Sequence, residues 1–336
     1  DGSEARRSRL SAGGTFYKRF QYRVEYEFAG TTAVTDAYVA YAGYAPLTVT
    51  LGQFKQPFGM EAMAADKNGT FMERGLPFAF VITRAPGLMI GHAGARGSAN
   101  LGVFGEPLGS AQAGDEGYAV VGRATYAPLR DATKLIHVGA GVTLRYPSDD
   151  NSSNAMGPKF PTLRFRAKPE SNILAQRLVD TGEIENVDSY RIGGLELAGA
   201  LGAASLQGEY QQVQVDRDGG KTLAFSGWYA QAAVTLGGEA RPYRADRGVF
   251  EGIRPRNNFG AEGWGAFEFA ARISGIDLSD DTINGGQQRN ASAALNWYPN
   301  QLVRVSANYV KVLELEGGAF DSDEPSIWQV RMQLAL

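Results

Sequence analysis

Residues 19–28 read RFQYRVEYEF, and their alternation decides the fold. Phe20, Tyr22, Val24, Tyr26 and Phe28 share one parity, while Arg19, Gln21, Arg23, Glu25 and Glu27 share the other. A period of two over ten residues describes a strand with one apolar and one charged face. The rhythm recurs far along the chain. Val303, Val305, Ala307 and Tyr309 oppose Arg304, Ser306 and Asn308, and Ala291, Ala293, Leu295 and Trp297 oppose Ser292, Asn296 and Tyr298. Phe267, Phe269, Ala271 and Ile273 oppose Glu268, Arg272 and Ser274. Trp328, Val330, Met332 and Leu334 oppose Gln329, Arg331 and Gln333.

About sixteen such segments can be marked, of which 160–168 is the weakest. They are longer than the usual five or six residues of soluble strands. Aromatic residues (Tyr22, Tyr26, Trp297, Tyr309, Trp328) stand near the ends of the apolar faces, as interface girdles do. Connections alternate in length. Residues 298–301 and 199–202 suit tight turns, whereas 146–161, 277–286 and 314–326 are long and polar. The pattern predicts an all-β transmembrane antiparallel β-barrel of about 16 strands, filling residues 1–336 as a single domain. A soluble sandwich is the competing fold, and the length and full charge of the polar faces weigh against it.

Composition closes off other functions. The 336 residues contain no cysteine and two histidines, His92 and His137, 45 positions apart. That leaves no thiolate nucleophile, no two-histidine metal motif and no cofactor requirement. His137 has the parity of a lumen-facing residue but no nucleophile signature nearby, so an enzyme is not expected. The net charge of −3 argues against nucleic acid as a partner. No run of 18 apolar residues exists for a membrane-crossing helix.

A water-filled barrel needs a constriction and an electric field. Residues 55–95 are too long for a hairpin loop and open with the break Pro57-Phe58-Gly59, so they are the candidate constriction loop, folded inward. They set Lys55, Lys67, Arg74 and Arg84 against Glu61, Asp66 and Glu73. Arginine outnumbers lysine 25 to 8, which favours oxyanions, because the guanidinium is a permanently charged planar fork. Arginines cluster at Arg6, Arg7 and Arg9 and at Arg241, Arg244 and Arg247. In LRFRAK, Arg164, Arg166 and Lys168 share one parity and would form a ladder about 13 Å long at ~3.3 Å per residue. The same charges could instead serve as salt bridges along the wall.

Seven stretches resemble the porin O and P family of phosphate-selective outer-membrane porins: EARRSRL (4–10), TDAYVAY (35–41), LGQFKQPFGME (51–61), FMERGLP (71–77), RLVDTGE (177–183), LGGEARPY (236–243) and LNWYPNQLVRVSANYV (295–310). The resemblance implies a sixteen-stranded homotrimer in the bacterial outer membrane, in contact with its lipid and lipopolysaccharide. It would pass small inorganic anions, phosphate or polyphosphate-type oxyanions, by diffusion. It also implies a strand before Arg6-Arg7, which this chain is expected to lack. Arg6, Arg7, Lys67, Arg74, Arg164 and Arg166 resemble the family's cationic path, and Asp36 the acidic residue shaping its centre. The family's constriction lysine is replaced by Ala62 here. Lys55 and Arg9 are extra cations able to rebuild a differently shaped site. The alternative is a structural barrel anchoring surface components or partners, with unselective conductance. Acidic loop residues such as Asp149, Asp150, Asp277, Asp280, Asp281, Asp321, Asp323 and Glu324 read first as solvated loop tips, and second as sites for divalent ions that bridge lipopolysaccharide.

Overall fold

In residues 19–28, Val24 is half exposed while Glu25 and Glu27 are buried, the reverse of a water-soluble strand. The same inversion holds around the molecule. Leu51, Leu101, Leu195, Leu197, Val330 and Met332 point outward, whereas Arg123, Arg145, Glu196, Glu268, Asn290 and Asn296 are buried inside. Apolar side chains facing out and hydrogen-bonded polar ones facing in suit a lipid surround and a polar lumen.

The computed structural model describes residues 2–30, 32–108, 117–147, 161–260 and 263–335. Fifteen strands form one sheet, each hydrogen-bonded antiparallel to the next in chain order from Arg9–Phe16 to Ser326–Leu334. Among the described residues no ladder joins the first strand to the last. Residues 166–167, within the weakest of the expected segments, lie outside the wall and pair with Val179–Asp180.

Successive strands make an end of mostly short turns and an end of longer loops. Phe16 and Phe20, Tyr44 and Leu47, and Leu201 and Ala204 flank tight turns at the first end. There Phe16, Phe20 and Tyr41 pack together, with ring centroids 5.2 and 4.9 Å apart. At the other end Tyr118 stacks on Tyr146 and Tyr309 meets Trp328. The two aromatic belts bound the apolar surface, as interfacial rings do.

Three expectations about connections change. Residues 277–286 are mostly strand, because the hairpin runs to Asp280 and resumes at Ile283, with Asp281 at φ 50 supplying the turn. Residues 55–95 are not one loop, since Arg84–Ala93 is a wall strand and the inward segment is 56–83. The turn end is not uniformly short either: residues 236–260 leave the wall there, and Arg241 to Ile253 pack inside the barrel. The polar connection 148–160, with Asp149 and Asp150, lies outside the described residues.

Candidate functional site: the constriction

Strand Leu47–Lys55 ends where Pro57 and Gly59 (φ 73) turn the chain inward. From there residues 56–83 cross the lumen and are held by the opposite wall. The Glu209 carboxylate accepts from Met60 N–H at 3.0 Å and Glu61 N–H at 2.6 Å. Asn296 Nδ2 donates to Thr70 O at 2.8 Å, Arg331 Nη1 to Met72 O at 2.6 Å and Arg272 Nη2 to Glu73 O at 3.0 Å. Arg304 donates to Gly69 O. Phe58 points the tip of its ring at the wall where Gly194 leaves room for it; a Cβ there would stand 2.9 Å from the ring.

A second inward segment, 161–186, packs Phe165 against Phe80, with centroids 5.2 Å apart. It is pinned by Glu170, whose carboxylate accepts from Arg272, Ser274 and Ser292. The third, 236–260, comes from the turn end. Arg123 donates to its Arg247 O at 2.7 Å and Gly248 O at 2.8 Å, and Arg123 is itself paired with Glu196. His137 is buried as its parity implied. Its Nδ1 lies 2.6 Å from the Tyr243 hydroxyl and its Nε2 3.3 Å from Glu196 Oε2, so it anchors this segment.

The candidate cations divide into locked and open groups. Asp66 gathers three guanidiniums: Arg7 Nε at 3.1 Å, Arg9 Nη1 at 2.8 Å and Arg74 Nη2 at 2.5 Å. Burial alone would raise the Asp66 carboxyl, but Arg74, Arg7, Lys55 and Arg9 overcome it and hold the group far below the usual carboxylate range. Burial draws Arg7 down to about 10, only partly offset by Asp66. Its two Nη atoms make no hydrogen bond within the described residues. Arg6 meets Glu73 in a two-pronged pair, both contacts 3.0 Å, and Arg331 joins the same carboxylate at 2.5 Å. Arg9 also reaches Glu27 at 2.7 Å.

Lys55 is a clamp. Its Nζ donates to Ala62 O and Ala64 O, both at 2.6 Å, tying the wall to the start of the inward segment beside buried Ala62. Asp36 pairs with Arg84 at 2.7 Å and Arg23 at 3.4 Å on the wall. The side chain of Lys67 is exposed and has no ion pair among the described residues.

The alternation of 164–168 is real, but the row is not a uniform ladder. Phe165 and Ala167 are buried; Arg164 is taken by Asp180 at 2.6 Å and Glu183 at 3.4 Å. Arg166 has no ion pair among the described residues, and Lys168 Nζ donates to Asn172 O at 2.7 Å. Between them stands Arg177, a cation not singled out from the sequence although it opens RLVDTGE. Burial lowers Lys168 and the charge of Arg177 lowers it further; Arg177 is lowered by burial and by Arg166. Asp180 opposes the shift at Arg177, and Glu4 and Glu73 that at Lys168, without cancelling it. Among the described residues no group of acidic or histidine side chains is arranged to hold a metal.

A polar-lined barrel narrowed by inward segments is an outer-membrane channel of the porin class. The chain matches the family described as Phosphate-selective porin O and P over residues 1–336, and belongs to it. Porin O of Pseudomonas aeruginosa is 27% identical, over 93% of this chain and 76% of that protein. An uncharacterized protein of Caulobacter vibrioides is 29% identical, over 92% of this chain and 62% of its own length. Among solved structures, the anion-selective porin from Comamonas acidovorans aligns with TM-score 0.59 at 13% identity, covering 99% of this chain and 91% of the other. OmpT of Vibrio cholerae aligns with TM-score 0.57 at 10% identity, covering 98% and 88%. These structures share the fold. The protein is a bacterial outer-membrane porin, a channel and not an enzyme.

Proposed function

We propose that the protein is a passive diffusion channel preferring small inorganic oxyanions, with phosphate and polyphosphate-type anions as the substrate class. One observation carries this reading: Asp66 is shared by Arg7, Arg9 and Arg74, and of these only Arg9 has further carboxylates, Glu27 and Glu25, which leaves fixed positive charge in excess at Arg7 and Arg74 in the constriction. Arg166, Lys168 and Arg177 extend that excess toward the loop end. An anion stepping past them replaces water with guanidinium donors without meeting one deep trap. The family's own description and the anion selectivity of the Comamonas porin agree with it.

The alternative, a structural barrel with unselective conductance, draws on the pairing: Arg6, Arg7, Arg9, Asp36, Arg74 and Arg164 all stand in ion pairs. Reversal potential in a planar bilayer under a salt gradient separates the two. Anion preference supports the channel reading, and its absence moves the structural reading forward. Titration with phosphate, pyrophosphate and sulfate then ranks substrates. Block by micromolar phosphate in Ala62→Lys but not in the native chain would tie low phosphate affinity to the missing lysine; block in both would end that idea. A homotrimer and contact with lipopolysaccharide remain part of the proposal, checked by chemical cross-linking in native membranes.

A further inference from the structure

The inward segment from the loop end and the one from the turn end touch. Phe250 packs in one cluster with Met60, and a Cβ on Gly252 would stand 3.2 Å from Asn68 Oδ1. The residue between them is Arg241, whose side chain is 3% exposed. Its Nη1 donates to Asn68 O at 3.3 Å, in the constriction segment, and to Glu251 O at 3.1 Å, in its own segment. Its Nη2 donates to the Glu268 carboxylate on the wall, which also accepts from Asn296 and Tyr298. One guanidinium therefore joins three elements. The backbone it holds at Asn68, next to Gly69 and Thr70 that Arg304 and Asn296 hold, borders a cavity of about 40 Å³ lined by Arg7, Asp66, Arg74, Arg241 and Phe250. Gln231 also borders it, and both Gln231 Oε1 and Arg241 Nε are buried without a partner.

We infer that Arg241 is the positioning residue of the constriction, setting the distance between the turn-end segment and the Arg7–Asp66–Arg74 cluster. The inference rests on the anion-channel reading above. A planar fork can serve three acceptors at fixed angles, which a lysine ammonium on a flexible stem cannot reproduce. Its charge is already matched by Glu268, so its contribution is geometric. Loss of the fork releases Asn68 O while Arg304 and Asn296 still hold Gly69 and Thr70, so residues 66–68 shift and the three guanidiniums on Asp66 shift with them.

The test uses the full chain in planar bilayers, with barrel folding verified by heat-modifiable migration on gels. Arg241→Gln and Arg241→Lys are both expected to change the anion-to-cation permeability ratio several-fold and to broaden the single-channel current distribution. The chain has no cysteine, so Asn68→Cys with Gly252→Cys can be oxidised to a cross-link without competing thiols. In the Arg241→Gln background that disulfide should restore native selectivity, and reduction should remove it. Native selectivity in Arg241→Gln would overturn the inference, as would full retention in Arg241→Lys, which would mark a role of charge alone. Failure of the cysteines to join in the native background would show that the segments do not meet. If the unmodified chain is unselective, it is the anion-channel reading that fails; selectivity in the native chain with no effect at Arg241 removes this inference alone.

Discussion

Arg272 on the wall and Glu170 in the second inward segment lie 2.5 Å apart, each about 1% exposed in its side chain. Ser274 and Ser292 complete the carboxylate's shell, and Arg272 also stacks over Phe71, 4.2 Å from the ring centroid. Glu170 holds φ 52, a backbone conformation that a side chain adopts only under tertiary constraint. The pair thus docks residues 161–186 and, through Arg272, steadies Glu73. Removing Glu170 leaves Arg272 with Glu61 at 3.3 Å as its remaining carboxylate, so the loss should fall short of the roughly 3–5 kcal/mol of a fully orphaned buried charge. Glu170→Ala should release the segment and make it a protease target in folded protein, with Glu170→Gln intermediate. Equal resistance in all three proteins would show that Phe165 and its neighbours dock the segment unaided.

Asp66 is the carboxylate whose loss should help an anion channel. Asp66→Asn removes one negative charge from the constriction and frees Arg7, Arg9 and Arg74 from their common partner. A unit charge about 8 Å from a permeating ion in water is worth ~0.5 kcal/mol, or roughly twofold in occupancy. Reversal potentials should move further toward the anion limit by about that ratio, with noisier current from looser side chains. An unchanged reversal potential would place Asp66 off the conduction path.

The lipid face offers a test of orientation. Leu195 and Leu201 lie on one strand, Val187–Leu201, and on the same outward face, exposed 63% and 68%. They differ in depth, since Leu201 adjoins the turn. Arginine on the lipid face costs about 2–4 kcal/mol at the midplane and ~0–1 near an interface. Leu195→Arg should therefore reduce barrel assembly sharply, while Leu201→Arg assembles close to normally. Similar yields for both would mean that the strand's outer face does not run from midplane to interface.

Much of this architecture can be read in single strands. The parity of Val24 against Glu25, or of Leu295 against Asn296, reports directly which face meets lipid, because each strand carries that choice in its own residues. The sequence also marks the break at Pro57-Phe58-Gly59. What it hides is long range. Glu73 serves Arg6 and Arg331, which are 325 positions apart (331 − 6), and no local pattern shows that they meet on one carboxylate. The three equal cations of LRFRAK likewise look alike until Asp180 and Glu183 single out Arg164. The insertion 236–260 escapes notice because proline, glycine and arginine suit an exposed loop as well as a luminal one. Arg84–Ala93 is masked as a strand by Pro86, Gly87 and Gly91.

Acid should undo the constriction in a defined window. Asp66 and Glu73 are both buried groups whose carboxyls are held below their ordinary values by facing arginines, Arg74 and Arg7 for the first and Arg6 and Arg331 for the second. A carboxyl depressed on docking contributes stability that is complete above its undocked value, about 3.9 for Asp and 4.3 for Glu, and is lost as pH falls below it. These two carboxylates therefore contribute no change in single-channel current from pH 7 to about 5. Below about 4, proton uptake favours the undocked segment, and current should become irregular as residues 56–83 detach. In Asp66→Asn part of that linkage is already gone, so the change between pH 4 and 3 should be shallower. A current that drifts between pH 7 and 5 would point to control by other groups, and an identical acid profile in Asp66→Asn would remove Asp66 from the explanation.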